Sequence, residues 1–288
     1  MSRFFRKGLT SSPRGGAGFS LIELMVALVL GLLVAGAAFA IFHANQLSYR
    51  SNEGLNRVQE SARVAFELMS RDIRAAGGSA CSNVARPNVE HANSAEEVAF
   101  LTAPLSSLSP QTELTTVSGD DTAYRITAST TSSLTLDAAQ IADATTAFNV
   151  NDQLVLCNAN QLYIVRATSV TPTTVAFTPA TTVALTADPL APAATVMLAR
   201  YRNTRWFAAD NSLFVSRAGG AREEVAQGVQ NLAVSYLETG GNTYNPVPAN
   251  WANIVAVRVN MTLVGQDGEG RAISRNVSNV VSLRSRTP

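Results

Sequence analysis

Lysine occurs once in the 288 residues, at Lys7, and histidine and cysteine occur twice each. Two His and two Cys cannot build a zinc finger, a cysteine-rich scaffold or a histidine metal cage, so no metal or other cofactor is expected. Charge is also scarce. Lys and Arg total 22 against 21 Asp and Glu, a formal net charge of +1, which excludes a generally nucleic-acid-coating or polyacidic chain. Neither GxSxG nor HExxH occurs, and of the two histidines His43 follows a long apolar run while His91 stands in a loop, so a catalytic triad has almost no material and no enzymatic activity is expected. No proline lies between Pro13 and Pro87. What the chain has is apolar content: 46% hydrophobic residues, enough to bury a core in one large or two modest domains.

The first 18 residues hold Arg3, Arg6, Lys7 and Arg14 and no acid; without these four positives the remainder carries −3. From Leu24 to Phe42 there follow 19 residues without a charged or hydrogen-bonding side chain. As a helix they span about 28 Å, the thickness of a bilayer core. The basic flank precedes the run, so the leader faces the cytoplasm and the rest is exported. One reading is a cleavable signal peptide, with Ala38-Phe39-Ala40 as the small-residue site and Ile41 as the mature start. Glu23 argues against it, because an acid at the edge of hydrocarbon costs several kcal/mol unless it finds a partner.

Gly18-Phe19-Ser20-Leu21-Ile22-Glu23-Leu24 after a basic leader resembles the class III signal of type IV pilins and type II secretion pseudopilins. The resemblance implies that a prepilin peptidase cuts between Gly18 and Phe19 on the cytoplasmic side and methylates the new Phe19 amine, leaving the apolar helix attached. A cationic Phe19 amine is then able to pair with Glu23 of a neighbouring subunit and set axial register. Ser20-x-x-Glu23 is also a capping box. Glu23→Gln separates the two roles, since it keeps the capping hydrogen bond and removes the charge.

Leu55, Val58, Ala62, Phe66, Met69 and Ile73 recur at helical steps, and Gly77-Gly78 supplies a stop, so one helix is expected from Leu21 to Ala76, about 84 Å long. Glu53 with Arg57 and Glu67 with Arg71 are i,i+4 pairs on its exposed face. Gly31, Gly36 and Gly54 interrupt it, either for close packing between membrane helices or for local melting. The expected organisation is a removed leader (1–18), a transmembrane half-helix (19–43), an amphipathic half (44–78) and a periplasmic β-rich head (79–288). The fold class is α+β, a pilin-like lollipop with a long N-terminal helix on a mainly antiparallel head.

Within the head, Val255, Val257, Val259, Met261 and Leu263 alternate with smaller or polar residues. Gly265 to Gly270 then form a turn, and Ile273, Val277, Val281 and Leu283 recur on a return strand, which together make a hairpin. The Thr/Ala-rich middle, 101–195, shows strands at Leu154-Val155-Leu156 and Tyr163-Ile164-Val165. Cys81 and Cys157 both lie in the exported part, where a disulfide is the default and two buried thiols the alternative. Asp120-Asp121 and Asp267-Gly268-Glu269 read as solvated turns before calcium sites. Trp206-Phe207 and Trp251 read as core anchors before ligand platforms.

Phe66 to Gly77 with Cys81-Ser82, Arg217 to Val229, and Arg275 to Arg284 resemble PilW-like minor pilins. That family implies a non-catalytic subunit that primes type IV pilus assembly at or near the filament tip, in contact with other minor pilins, the major pilin and a PilY-type adhesin. Adhesion, twitching motility or DNA uptake would follow from it. It implies storage in the inner membrane and then display on the pilus fibre. Major pilins usually carry a proline within the apolar run, and its absence here speaks against the bulk subunit. A J-type minor pseudopilin of a type II secretion system shares the plan and is the alternative.

Overall fold

A computed structural model describes residues 20–81, 86–87, 95–107, 112–190, 192–266 and 270–285. The leader with Gly18 and Phe19, the loop with His91, and the turn residues Asp267 and Glu269 lie outside the described residues, as does the side chain of Leu55.

A single helix, α1 (Leu21–Ala75), carries most of the N-terminal quarter. Its 55 residues are about 82 Å long. No proline interrupts the run, and the apolar spacing keeps one face continuous for packing. Through Phe42 the helix is exposed on every side, whereas Ala62, Ala65, Met69 and Ile73 are buried against strands. Fully burying Met69 or Ile73 contributes about 1.5–3 kcal/mol each. The helix stops at Ala76, where Gly77 takes φ +69°, a left-handed conformation that a side chain disfavours.

Helix α1 packs on a three-stranded antiparallel sheet of β11 (Val229–Glu238), β12 (Ile254–Gln266) and β13 (Ala272–Ser282), in that order. The expected hairpin is β12 and β13, in register from Ala256 opposite Ser282 to Gln266 opposite Ala272. Val257, Val259, Met261 and Leu263 of β12 face the helix and are buried; Val255 is half-exposed, a departure from the simple alternation near the start of the strand.

The second sheet contains ten strands. Six of them close on themselves: β3 (Glu113–Ser129) pairs with β4 (Ser133–Leu136), then come β7 (Thr174–Thr178), β6 (Gln161–Val170), β5 (Gln153–Cys157) and β8 (Met197–Ala209), and β8 pairs back onto β3. Closure removes free edges. The ring encloses its own core, including Ile126, Leu136, Phe148, Leu156, Val165, Phe177 and Leu198, so the Thr/Ala-rich middle is a small closed β unit. Outside the ring, β9 (Ser212–Arg217) and β10 (Arg222–Gln227) extend β8, β2 (Leu105–Ser106) extends β3, and β1 (Arg86–Pro87) lies parallel to β6. A short helix, α2 (Ala95–Thr102), sends Glu97 inward, where its carboxylate accepts the Ile164 amide at 3.0 Å beside the end of β1. The head is therefore two β layers, with α1 lying across the three-stranded one and also touching β10 and β3 of the other.

Candidate functional site: the apolar helix and the junction at its end

Two regions carry functional signals, one at each end of α1. At the first, Ser20 occupies the N-cap position with extended φ and ψ, but its side chain makes no cap hydrogen bond, so the capping box is not formed here. Glu23 lies in the first turn, where a carboxylate is favoured by the helix dipole. Downstream, Leu24, Met25, Leu28, Leu32, Leu33 and Phe39 are all exposed. The helix is long and apolar enough to cross a membrane, with mean hydropathy 2.7 over its best window and none of that window buried. An apolar surface of this size has no partner among the described residues, and lipid or other apolar helices are what would cover it.

At the far end the helix is stitched to β3. Gly77 N–H donates to the Val117 carbonyl at 2.8 Å, and Gly119 N–H to the Gly78 carbonyl at 2.9 Å. A register break between Gly119 and Ala123 then pushes Asp120 and Asp121 out of β3. Their carboxylates meet two guanidinium groups. Arg71 pairs with Asp121, and Arg202 lies 3.6 Å from both Asp120 and Asp121 and 3.3 Å from Asp72. The expected Glu67 to Arg71 pair therefore gives way to a longer-range one, because the β3 bulge brings a second carboxylate to Arg71. Glu53 and Arg57 do pair, at 3.5 Å on the exposed face. Asp120-Asp121 is an ion-paired bulge, and among the described residues no group of carboxylates, histidines or cysteines has the arrangement of a metal site.

Beneath the cluster, the fully buried Trp206 donates from Nε1 to Asp72 Oδ2 at 2.9 Å. Asp72 shares the buried helix face with Met69 and Ile73, and burial pushes its carboxyl above the ordinary value of 3.8, against the Trp206 hydrogen bond and the Arg202 charge, which pull it down. A carboxyl raised by folding is stabilising only while protonated. Its unfavourable contribution therefore grows as pH rises from about 3.8 through the folded-state value. Asp137 and Asp143 are shifted the other way, chiefly by hydrogen bonds from the amides and hydroxyl of their turns and, for Asp137, from Arg125; their stabilisation is complete above about 3.8 and is lost as pH falls below it. Comparing wild type with Asp72→Asn cancels those two. The melting temperature of wild type relative to the variant should fall as pH rises above about 4 and be flat below; a difference independent of pH would show that Asp72 is not shifted by folding.

Trp206 is thus a core anchor. Trp251 is half-buried and meets Tyr236 edge-on at 4.9 Å, and Phe207 stacks on Phe214 at 5.8 Å. Cys81 and Cys157 form a disulfide with Cα atoms 6.0 Å apart, which ties the segment after α1 to the end of β5. A cleft of about 350 Å³ opens beside it, lined by Arg74, Cys81, Asp120, Asp121 and Arg284. Carboxylates and guanidinium groups line it together with the hydroxyls of Ser79 and Ser285. His43 is exposed on the helix far from this cleft.

Sequence similarity falls on the N-terminal end alone. The chain carries a prokaryotic N-terminal methylation motif. The family profile of that description matches residues 14–39. No curated protein and no solved structure matches the chain. The methylation motif runs through Gly18, Phe19 and Glu23 into the bare apolar part of α1, and it supports a type IV pilin-like subunit. The head lies beyond the motif. Sequence reasoning found the motif and the helix; it missed the tie between Asp72 and Trp206, whose one sequence signal is an acid placed on the apolar stripe between Met69 and Ile73.

Proposed function

We propose that the chain is a minor subunit of a type IV pilus. It is non-catalytic, is held in the inner membrane through α1, helps to prime assembly and sits at or near the filament tip, where it serves adhesion, twitching motility or DNA uptake. The observation that carries this reading is the methylation motif at residues 14–39 overlapping an apolar helix that none of the described residues covers. A prepilin peptidase cuts between Gly18 and Phe19 and methylates Phe19. The new amine, at the cytoplasmic face, then seeks the Glu23 carboxylate of the major pilin or of another minor pilin. The large β-rich head fits a component that binds, with a PilY-type adhesin among its partners.

The test is the intact mass and N-terminal sequence of protein extracted from membranes of a host with a prepilin peptidase. A start at Phe19 carrying one methyl group is the expected result. A start at Ile41 would make this a soluble periplasmic protein and overturn the reading. Glu23→Gln should leave processing intact and abolish co-isolation with the other pilins; unchanged co-isolation would remove the intersubunit role from Glu23. Loss of piliation on deleting the gene is expected, whereas a defect confined to type II secretion would reassign the chain to a pseudopilin.

A further inference from the structure

The head protects its strand edges in every described place but one. The six-stranded ring has none. Strand β10 carries a register break between Glu224 and Ala226 and presents Arg222, Glu223 and Glu224, while β1 and β2 are two residues long. Strand β11 has a register break between Val229 and Asn231, and its outer side is bridged by Asn245, which exchanges both backbone hydrogen bonds with Tyr236. These are the usual means by which a sheet avoids adding foreign strands.

Strand β13 uses none of them. It runs for 11 residues in unbroken register with β12, contains no proline, and has one ionised side chain, Arg275. Leu283 N–H donates to Val255, in phase with the odd-numbered residues of β13, so antiparallel alternation turns the amides of Ser274, Asn276, Ser278 and Val280 outward. Among these, the Val280 amide is taken by the Asn279 side chain at 2.9 Å. On the helix side of the same edge, α1 stops short of covering β13 and leaves a cleft of about 340 Å³, walled by Ala62, Arg63, Phe66, Glu67, Val277 and Asn279. Arg63 and Arg275 make no ion pair among the described residues.

We propose that β13 is the docking edge for an extended segment of a different protein in the same assembly, which adds as a fourth strand to this sheet. Its backbone pairs with the outward amides of Ser274, Asn276 and Ser278. Its helix-side residues alternate, with an apolar one filling the cleft beside Phe66 and Val277 and an acidic one meeting Arg275. A second copy of this chain paired antiparallel through β13 does not fit. Antiparallel pairing of β13 with itself places a two-fold axis perpendicular to the sheet, and α1, lying across that sheet, would then point the opposite way in the second copy. Two helices anchored in one membrane from the same side cannot do that, a step that rests on the proposed membrane-anchored subunit.

The test uses the full-length chain in its own host, with photo-crosslinking benzoylphenylalanine placed at Ser274 or at Ser278. The expected result is that both positions attach to one segment of one co-assembled subunit, at sites about four residues apart, as strand register demands. Ser278→Pro removes an outward amide without touching the ladder to β12, and should abolish the cross-link from Ser274 while N-terminal processing and the Cys81 to Cys157 disulfide remain. Asn276→Pro is the second variant if the first fails to fold. Attachment to scattered sites, attachment to a second copy, or a cross-link indifferent to both proline variants would overturn the proposal. Processing at Phe19 is read from the same samples, so failure of the pilin reading registers separately from failure of the edge.

Discussion

Replacing Cys81 and Cys157 together by serine should lower the stability of the head by about 4 kcal/mol. The bridge closes a loop with a sequence separation of 76 residues, and the chain-entropy account gives that figure for a loop of this length. Its position makes the loss local in origin and wide in effect. Cys157 is buried at the end of β5, in a small core with Phe100, Val117, Leu162 and Tyr201, and the half-buried Cys81 packs against the same group. Without the bond, the segment that follows α1 keeps its two backbone hydrogen bonds to β3 but loses its covalent hold on the ring. Urea unfolding of the double variant against wild type measures this directly. Wild type treated with a reductant should move to the same midpoint as the variant, and coincident midpoints for oxidised and reduced wild type would refute the prediction.

Trp206→Ala should cost about 3–5 kcal/mol, the range for deleting a fully buried large side chain. The side chain lies in the core shared by α1, the three-stranded sheet and β8 and β9, touching the layer that holds the helix on. The substitution also strips the Nε1 donor from Asp72, which remains buried with Arg202 as its neighbour. Trp206→Phe keeps most of the volume and loses only the donor, so it should cost about 1–3 kcal/mol, the penalty of an unsatisfied buried acceptor. Denaturant midpoints of the two variants separate packing from hydrogen bonding, with Trp251 left as the fluorescent reporter. Equal costs for the two would mean that the cavity contributes nothing.

The helix and the C-terminal hairpin were legible because each obeys one period. Val58, Ala62, Met69 and Ile73 keep the helical step, and Val257 to Leu263 keep the two-residue step, so a single buried face shows in the sequence. Closure of the ring was not legible. It depends on β3 meeting β8, with Leu114 opposite Trp206 across some ninety intervening residues, and Thr, Ala and Ser along these strands read the same inside a ring or at a free edge. Leu154-Val155-Leu156 and Tyr163-Ile164-Val165 declared themselves as strands because they are buried on both faces. At the junction, Asp120 and Asp121 looked like a turn, since nothing local shows that a strand bulge will aim them at Arg71 and Arg202. The N-terminal methylation motif was legible because it is a linear pattern of residues that needs no fold to be read. Gly54, a candidate for packing between membrane helices, instead lies against the head: a Cβ there would sit 3.0 Å from the Gln266 carbonyl.

That approach at Gly54 is the first close contact described between α1 and the head, while the apolar run ends at Phe42. Residues 43–53 are thus a mostly exposed helical strut about 16 Å long, with only Leu47 and Ser51 half-buried. With no proline to act as a joint, anchor and head move as one lever. A membrane helix inclined by about 20° sweeps the far end of a rod some 82 Å long sideways by about 28 Å. Small rotations among neighbouring helices inside the bilayer would therefore be converted into large lateral excursions of the head, which gives a subunit held by lipid a wide radius over which to search for its neighbours.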